Sequence, residues 1–282
     1  MSPGEDPRRT LARHGLGAKK SWGQNFLRDR SVLARIAGAT QARAEDVVVE
    51  IGAGLGALTR ALAELSPPPA EIVAIERDPD MVAVLAADLA GERVAVRAAD
   101  ATHFDFVAEA RRAGRPLVVV GNLPYQIASA LILALLAAGR AGAVVRAVVM
   151  IQREMAKRIT APPGSRVYGR LTVAVAQYAE AAILFDVKPG SFHPAPSVMS
   201  SVLRLVPRPA PLAPVKDAAL FEEVVKQAFA TRRKMLRRAL AGFGEQRAAA
   251  ALAAAGLAGT ERAEELSVAQ FARLADAFAA TA

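Results

Sequence analysis

Val47-Val48-Val49-Glu50-Ile51-Gly52-Ala53-Gly54-Leu55-Gly56 is the stretch on which the fold turns. Five residues of nearly unbroken apolar character read as a strand covered on both faces, as a parallel sheet between helices requires. The strand runs straight into a glycine turn, and a helix follows from about Leu58. Working outward, Glu71 to Ile75 is a second strand, closed by Glu76-Arg77-Asp78-Pro79. Asp78 as N-cap with Pro79 at the first helical position opens the next helix. Val94 to Arg97 gives a third strand ending near Asp100, and Leu117 to Val120 a fourth. Ala147 to Ile151 reads as a fifth, with a helix from about Arg153 to Ile159. Upstream, Asp29 or Ser31 caps a helix reaching about Ala39. Leu171 to Tyr178 fits helix or strand. Ile183 to Val187 and Val198 to Leu205 are further strands flanking Phe192-His193-Pro194-Ala195-Pro196. Alternating strands and helices predict an α/β, doubly wound, mostly parallel sheet. Its ligand belongs at the carboxyl ends of the strands.

With 282 residues the chain is long enough for a large and a small domain. Pro207-Arg208-Pro209-Ala210-Pro211 with Pro214 reads as a linker, and everything beyond it as helical. Phe221, Val224, Val225, Ala228, Phe229, Leu236 and Leu240 recur at helical spacing. Gly256 ends an alanine-rich helix, and Ser267 to Gln270 has capping-box spacing. The expected division is a flexible tail over 1–18, an α/β domain over 19–206, a linker over 207–214 and a helical domain over 215–282. The tail lacks the apolar core of a secretory signal, and its acids argue against a transit peptide. No apolar run of membrane-spanning length appears. A cytoplasmic monomer is expected.

There is no cysteine, which removes disulfides, thiolate metal sites and cysteine nucleophiles together. His14, His103 and His193 share no ligand spacing, so no metal is expected. The net charge of +9 points to a polyanionic partner and says nothing of the fold.

The glycine turn alone suits either a dinucleotide or S-adenosyl-L-methionine, since Ala57 stands where a terminal alanine is tolerated. Glu76 ends the second strand, where a carboxylate can accept ribose hydroxyls of either cofactor. Asp100 ends the third, facing an adenine edge or capping Thr102-His103. The fourth strand delivers Gly121-Asn122-Leu123-Pro124-Tyr125 and tips the balance toward methyl transfer. Pro124 biases Leu123 away from the helical region and turns its carbonyl toward a cleft. The Asn122 oxygen and that carbonyl can accept an exocyclic amine while Tyr125 stacks on the ring. Hydride transfer needs no such clamp.

These segments, in this order, resemble the small-subunit ribosomal RNA adenine dimethyltransferase family. Gly23-Gln24-Asn25-Phe26-Leu27, the glycine turn, Asn122 to Tyr125, Met150-Ile151-Gln152-Arg153-Glu154, Tyr168-Gly169-Arg170-Leu171, Phe192 to Val198 and Arg232-Arg233-Lys234 carry the likeness across roughly residues 19–275. It implies a Rossmann-like methyltransferase sheet and dimethylation of two neighbouring adenosines near the 3′ end of small-subunit RNA, within an immature small subunit. Cofactor contacts would fall on Gln24, Asn25, Leu27, Gly52, Gly54, Glu76, Asp100 and Asn122. The base would meet Asn122, Leu123, Pro124, Tyr125 and Phe192, the two aromatics stacking on it. Met199 departs from the acid that many relatives carry.

For RNA, Lys226, Arg233 and Arg237 are expected to share one azimuth of a single helix, thickened by Arg232, Lys234 and Arg238. Lys19, Lys20 and Arg28 would extend that basic track. Competing readings are a methyltransferase of the antibiotic-resistance type acting on large-subunit RNA, a mitochondrial transcription-factor relative, an assembly factor with methylation as a secondary readout, and an NAD-dependent oxidoreductase.

Overall fold

The computed structural model describes residues 6–19, 24–89, 91 and 93–281. The chain divides into two compact units: residues 1–156 with 182–207, and residues 157–181 with 208–282.

In the first unit, helix α1 (Pro7–Arg13), strand β1 (Phe26–Leu27) and helix α2 (Arg30–Ala39) precede a run of alternating elements. These are β2 (Val47–Ile51), α3 (Ala57–Ala63), β3 (Glu71–Glu76), α4 (Pro79–Leu89), β4 (Val94–Ala98), α5 (Phe106–Ala113), β5 (Leu117–Asn122), α6 (Ala128–Arg140) and β6 (Val144–Gln152). After helices α7 (Arg153–Ile159) and α8 (Arg170–Tyr178) come β7 (Ala179–Val187), β8 (Phe192–His193) and β9 (Ser200–Pro207). Seven strands form one sheet in the order β4-β3-β2-β5-β6-β9-β7. β2 pairs in parallel with both β3 and β5. β9 runs antiparallel to β6, as "mostly parallel" anticipated.

The chain winds outward from β2 through β3 and β4, then returns to β5 and winds the other way. The order therefore reverses between β2 and β5, and the crevice at their carboxyl ends is where such sheets bind ligands. The strands need no polar face, because helices cover both sides: Val48, Ile72, Val118 and Val148 join one core with Leu33 and Ile36 of α2. Asp29 caps α2 as expected, accepting from the Ser31 and Val32 amides.

The second unit is helical: α8, α9 (Ala218–Ala230), α10 (Leu236–Ala239), α11 (Glu245–Ala254) and α12 (Val268–Ala280). Phe221, Phe271 and Phe278, each no more than 1% exposed, centre its core with Tyr168 and Val173. Each such ring stabilises by about 1.5–3 kcal/mol. Leu171 to Tyr178 thus resolves as helix, and it belongs with the C-terminal helices. Of the expected linker over 207–214, Pro207 ends β9 in the first unit and residues 208–214 are instead packed into this one. The buried Gln177 amide donates to the Ala213 carbonyl (2.7 Å) and accepts from its N–H (3.1 Å). Arg208 and Leu212 donate backbone bonds to Tyr178 and Gln177.

Two further expectations change. Part of the expected flexible tail is helix α1, capped by Asp6. Leu11 of α1 packs with Phe26, Leu55, Met81 and Val84, and Arg13 pairs with Asp88 at 2.6 Å. The apolar repeat from Phe221 to Leu240 is not one helix. α9 stops at Ala230, where Thr231 leaves helical geometry (φ −125°, ψ 69°), and α10 starts at Leu236. The two pieces serve one core, so the apolar spacing survives the break.

Candidate active site

Gln24, Asn25, Leu27, Gly52, Gly54, Glu76, Asp100 and Asn122, the eight expected cofactor residues, all line one cavity at the β2/β5 crevice. Leu123, Pro124 and Tyr125 line it too. The glycine turn folds sharply because Gly52 (φ 69°) and Gly54 (φ 56°) take left-handed geometry that costs other residues energy. The Gly52 and Ala53 amides bond to the Ile75 carbonyl, which presses the turn onto the end of β3.

Glu76 ties the same turn down. Its Oε2 accepts the Gly54 N–H at 2.9 Å, and Oε1 accepts the Arg77 and Asp78 amides at 2.8 and 2.9 Å. It is therefore no merely solvated turn residue, and Oε2 keeps a lone pair for a ligand hydroxyl. Asp100 does two jobs. Its Oδ1 accepts the Thr102 N–H and hydroxyl (2.9 and 2.7 Å), and Oδ2 lies 3.6 Å from Arg77. The Thr102 bonds, with Arg77 adding to them, hold the Asp100 carboxyl below its usual range despite some burial. It stays anionic beside the cavity.

Gln24 positions the rim. Its Oε1 accepts the Lys19 N–H at 2.9 Å, and its Nε2 donates to Asp78 at 2.7 Å. Asp78 is fully buried. Burial alone would raise its pKa, but Lys19, the Asp80 N–H and Gln24 outweigh it and hold the carboxyl low. Asp78 thus ties the strand-leading segment to α4 besides capping that helix (Asp80 N–H, 3.1 Å).

At the end of β5, the Asn122 Nδ2 donates to the Asn25 carbonyl at 3.0 Å. A carbonyl only accepts, so this contact fixes the amide: nitrogen toward Asn25, leaving Oδ1 an acceptor. Leu123 is buried, its N–H on the Met150 carbonyl at 3.0 Å. Tyr125, half-buried in the turn before α6, has its phenol 2.9 Å from the Ser200 hydroxyl.

Phe192 is the exception. Its ring is 3% exposed, packed with Leu27, Val187 and Val202, and it does not line the cavity. Strand β8 pairs with β1, matching Phe192 to Leu27, so Phe192 supports the Asn25–Leu27 rim from beneath. An apolar ring gains more from that core than from an open cleft, which the sequence pattern does not reveal.

Glu50 escaped the residue-by-residue reading. It is 2% exposed, lines the cavity and accepts the Thr59 hydroxyl at 2.5 Å. Burial, reinforced by the Glu76 charge, pushes its carboxyl up to about 8 against the Thr59 bond. The available signal was a lone acid within an otherwise apolar strand. Among the described residues, no group of His, Cys, Asp or Glu is arranged to hold a metal, and no helix is long and apolar enough to cross a membrane.

The expected basic residues are not on one helix face, because α9 carries Lys226 but ends at Ala230, before Arg232, Arg233, Lys234, Arg237 and Arg238. Lys226 pairs with Glu223 at 2.9 Å. Arg232 donates to the Arg166 and Tyr168 carbonyls, the latter at 2.8 Å, and so braces a loop. Arg233, Lys234, Arg237 and Arg238 are exposed around the break. In the first unit, Lys19 is engaged with Asp78 and Asp80, and Arg28 donates to the Gly190 carbonyl. Lys20 lies outside the described residues.

A sequence profile described as ribosomal RNA adenine dimethylase matches residues 15–280. The chain is 45% identical over 279 residues to the ribosomal RNA small subunit methyltransferase A of Anaeromyxobacter dehalogenans, covering 95% of this chain and 96% of that one. It is 44% identical over 276 residues to the protein of that name from Myxococcus xanthus, covering 96% and 94%. Among solved structures, the 23S rRNA methyltransferase ErmE superposes with a TM-score of 0.67 at 30% identity, over 90% of this chain and 100% of that one. A dimethyladenosine transferase from Plasmodium falciparum, 22% identical over 88% and 95%, shares the fold with a TM-score of 0.68. A Rossmann-like sheet, a cavity at its switch point and these matches lead to one conclusion: this chain is a methyltransferase and belongs to the ribosomal RNA adenine dimethylase family.

Proposed function

We propose that the chain transfers methyl groups from S-adenosyl-L-methionine to the N6 amines of two neighbouring adenosines near the 3′ end of small-subunit ribosomal RNA, each to the dimethyl form, during subunit assembly in the cytoplasm. The observation that carries this reading is the Asn122 amide, pinned by the Asn25 carbonyl so that its oxygen remains an acceptor beside the cavity.

The residues present suit the cofactor. Glu76 offers an acceptor to ribose hydroxyls, Asp100 an anion to the adenine amine, and the glycine turn a surface without side chains. Bound there, the cofactor supplies an electrophilic sulfonium methyl. The chain's own contribution is to make a poor nucleophile attack. An adenine amine conjugates its lone pair into the ring. Acceptors at Asn122 Oδ1 and the Leu123 carbonyl bond its two hydrogens and favour a pyramidal nitrogen. Positive charge grows on that nitrogen during transfer, and the same oxygens, fixed beforehand, stabilise it. Tyr125 stacks on the base and contributes proximity. After one transfer the cationic nitrogen sheds a proton to solvent and a single N–H remains, so one acceptor is released and the pocket must admit a methyl. The base enters unpaired, since the amine is inaccessible in a stacked helix. Arg233, Lys234, Arg237 and Arg238 would supply phosphate contacts, making binding fall steeply with salt.

The 30% identity to a 23S rRNA methyltransferase supports a second reading, action on large-subunit RNA. The 45% identity to small-subunit methyltransferases favours the first. Incubating separated ribosomal subunits with labelled cofactor, followed by mass spectrometry of the RNA, tests both. Dimethyladenosine confined to small-subunit RNA is expected. Label in large-subunit RNA alone would reject the proposal.

A further inference from the structure

We infer that Ser200 is a positioning residue for the target base, acting through the phenol of Tyr125. This rests on the reading that Tyr125 stacks on that base. Tyr125 sits in a turn between β5 and α6 and is only half-buried, so its backbone setting constrains the ring less than a buried strand would. Ser200 differs in every respect. It opens β9, is fully buried, and pairs in register with Gln152 of β6.

The start of β9 is held on both flanks. The Met199 carbonyl accepts the Arg153 N–H at 3.0 Å. The next residue, Ser201, donates its hydroxyl to Asp186 of β7 at 2.5 Å. Side chains on a strand leave on alternate faces. Ser200 therefore presents its hydroxyl away from Asp186, and it meets the Tyr125 phenol at 2.9 Å. A buried hydroxyl without a partner is costly, so the pair is strongly preferred to separate groups. A strand fixes a functional group more tightly than a turn does. The Ser200 contact thus lends the ring of a turn residue the rigidity of the sheet.

The test is a double-substitution cycle read by three measurements: methyl transfer to small-subunit RNA, cofactor affinity by calorimetry, and quenching of 2-aminopurine riboside, a base whose emission falls on stacking. Ser200→Ala should lower turnover about tenfold, the loss of one neutral hydrogen bond, and weaken the quench. Tyr125→Phe should do the same. The double variant should be no worse than the worse single one, and cofactor Kd should stay within about twofold throughout. A merely structural Ser200 would give losses that multiply, or a cofactor Kd that moves with turnover. Either outcome overturns the inference. If Ser200→Ala does not fold, Tyr125→Phe probes the same bond from its open side, and wild-type turnover and quench there would overturn it equally. Wild-type protein that quenches the probe yet methylates no adenosine would reject the proposed reaction instead. The quench in the variants then decides the role of Ser200 separately.

Discussion

Gly121 sits between the glycine turn and Asn122, and replacing it with alanine should separate the two. Gly121 stands opposite Ile51 in the parallel pairing of β2 and β5. A Cβ there would lie 2.5 Å from the Ile51 carbonyl oxygen and 3.1 Å from its Cβ. Contacts under 3.0 Å essentially do not occur, so backbone must yield by about 0.5 Å. The strand cannot slide freely aside, because β6 flanks Gly121 on its other edge at Val149. The displacement therefore reaches Asn122, the next residue. A misplacement of about 1 Å costs roughly a hundredfold in rate, so about half that shift predicts a tenfold loss. Overpacking should destabilise by about 1–3 kcal/mol. Steady-state methyl transfer, paired with the melting temperature, measures both. Turnover and melting at wild-type values would refute the reasoning, since the strands would then part at that point without cost.

Asn122→Ala removes both the acceptor and its tether to Asn25, and turnover should fall by about 10² to 10³, read with methyl-labelled cofactor. Near-wild-type turnover would reject its role. Glu76→Ala releases the Gly54, Arg77 and Asp78 amides at once, so calorimetric cofactor affinity should fall by tenfold or more. Glu50 has a folded pKa of about 8 against 4.5 for the free group, so its neutral form favours the fold. Its contribution is complete below pH 4.5 and is lost as pH rises to 8, by at most about 1.4 kcal/mol per unit. Urea midpoints of wild type and Glu50→Gln across pH 5–8 should therefore diverge, the variant losing less; parallel curves would sink the idea. Arg233→Ala with Arg237→Ala should flatten the salt dependence of RNA binding by about two contacts, whereas Arg232→Ala should chiefly lower the melting temperature.

The doubly wound sheet was legible because its central strands β2, β3 and β5 are local apolar runs, punctuated at their carboxyl ends by a glycine turn, an Asp-Pro and an Asn-Leu-Pro signal respectively. Those ends are where ligands meet the sheet, which is why all eight expected cofactor residues line one cavity. What was not legible depends on contacts remote in sequence. Phe192 looks like an exposed loop aromatic until β8 pairs with β1 and turns it into the core. The shared azimuth of Lys226, Arg233 and Arg237 presumed one helix, and spacing alone does not report the stop at Ala230. Arg232 was indistinguishable from its neighbours until the 166–168 loop was placed beneath it. Gln177 gives no local hint that its amide fastens Ala213, so proline content read as a linker where the chain is packed.

The second unit is assembled from two stretches, and its core draws Tyr168 and Val173 from the first of them. A graft meant to exchange the helical unit between relatives must therefore carry residues 157–181 along with everything after 207. A chimera joined only at the proline-rich segment would mate one protein's α8 with another's α9 and α12. The same stitching imposes an order during synthesis: α8 emerges early and must wait for the last hundred or so residues before its apolar side is covered.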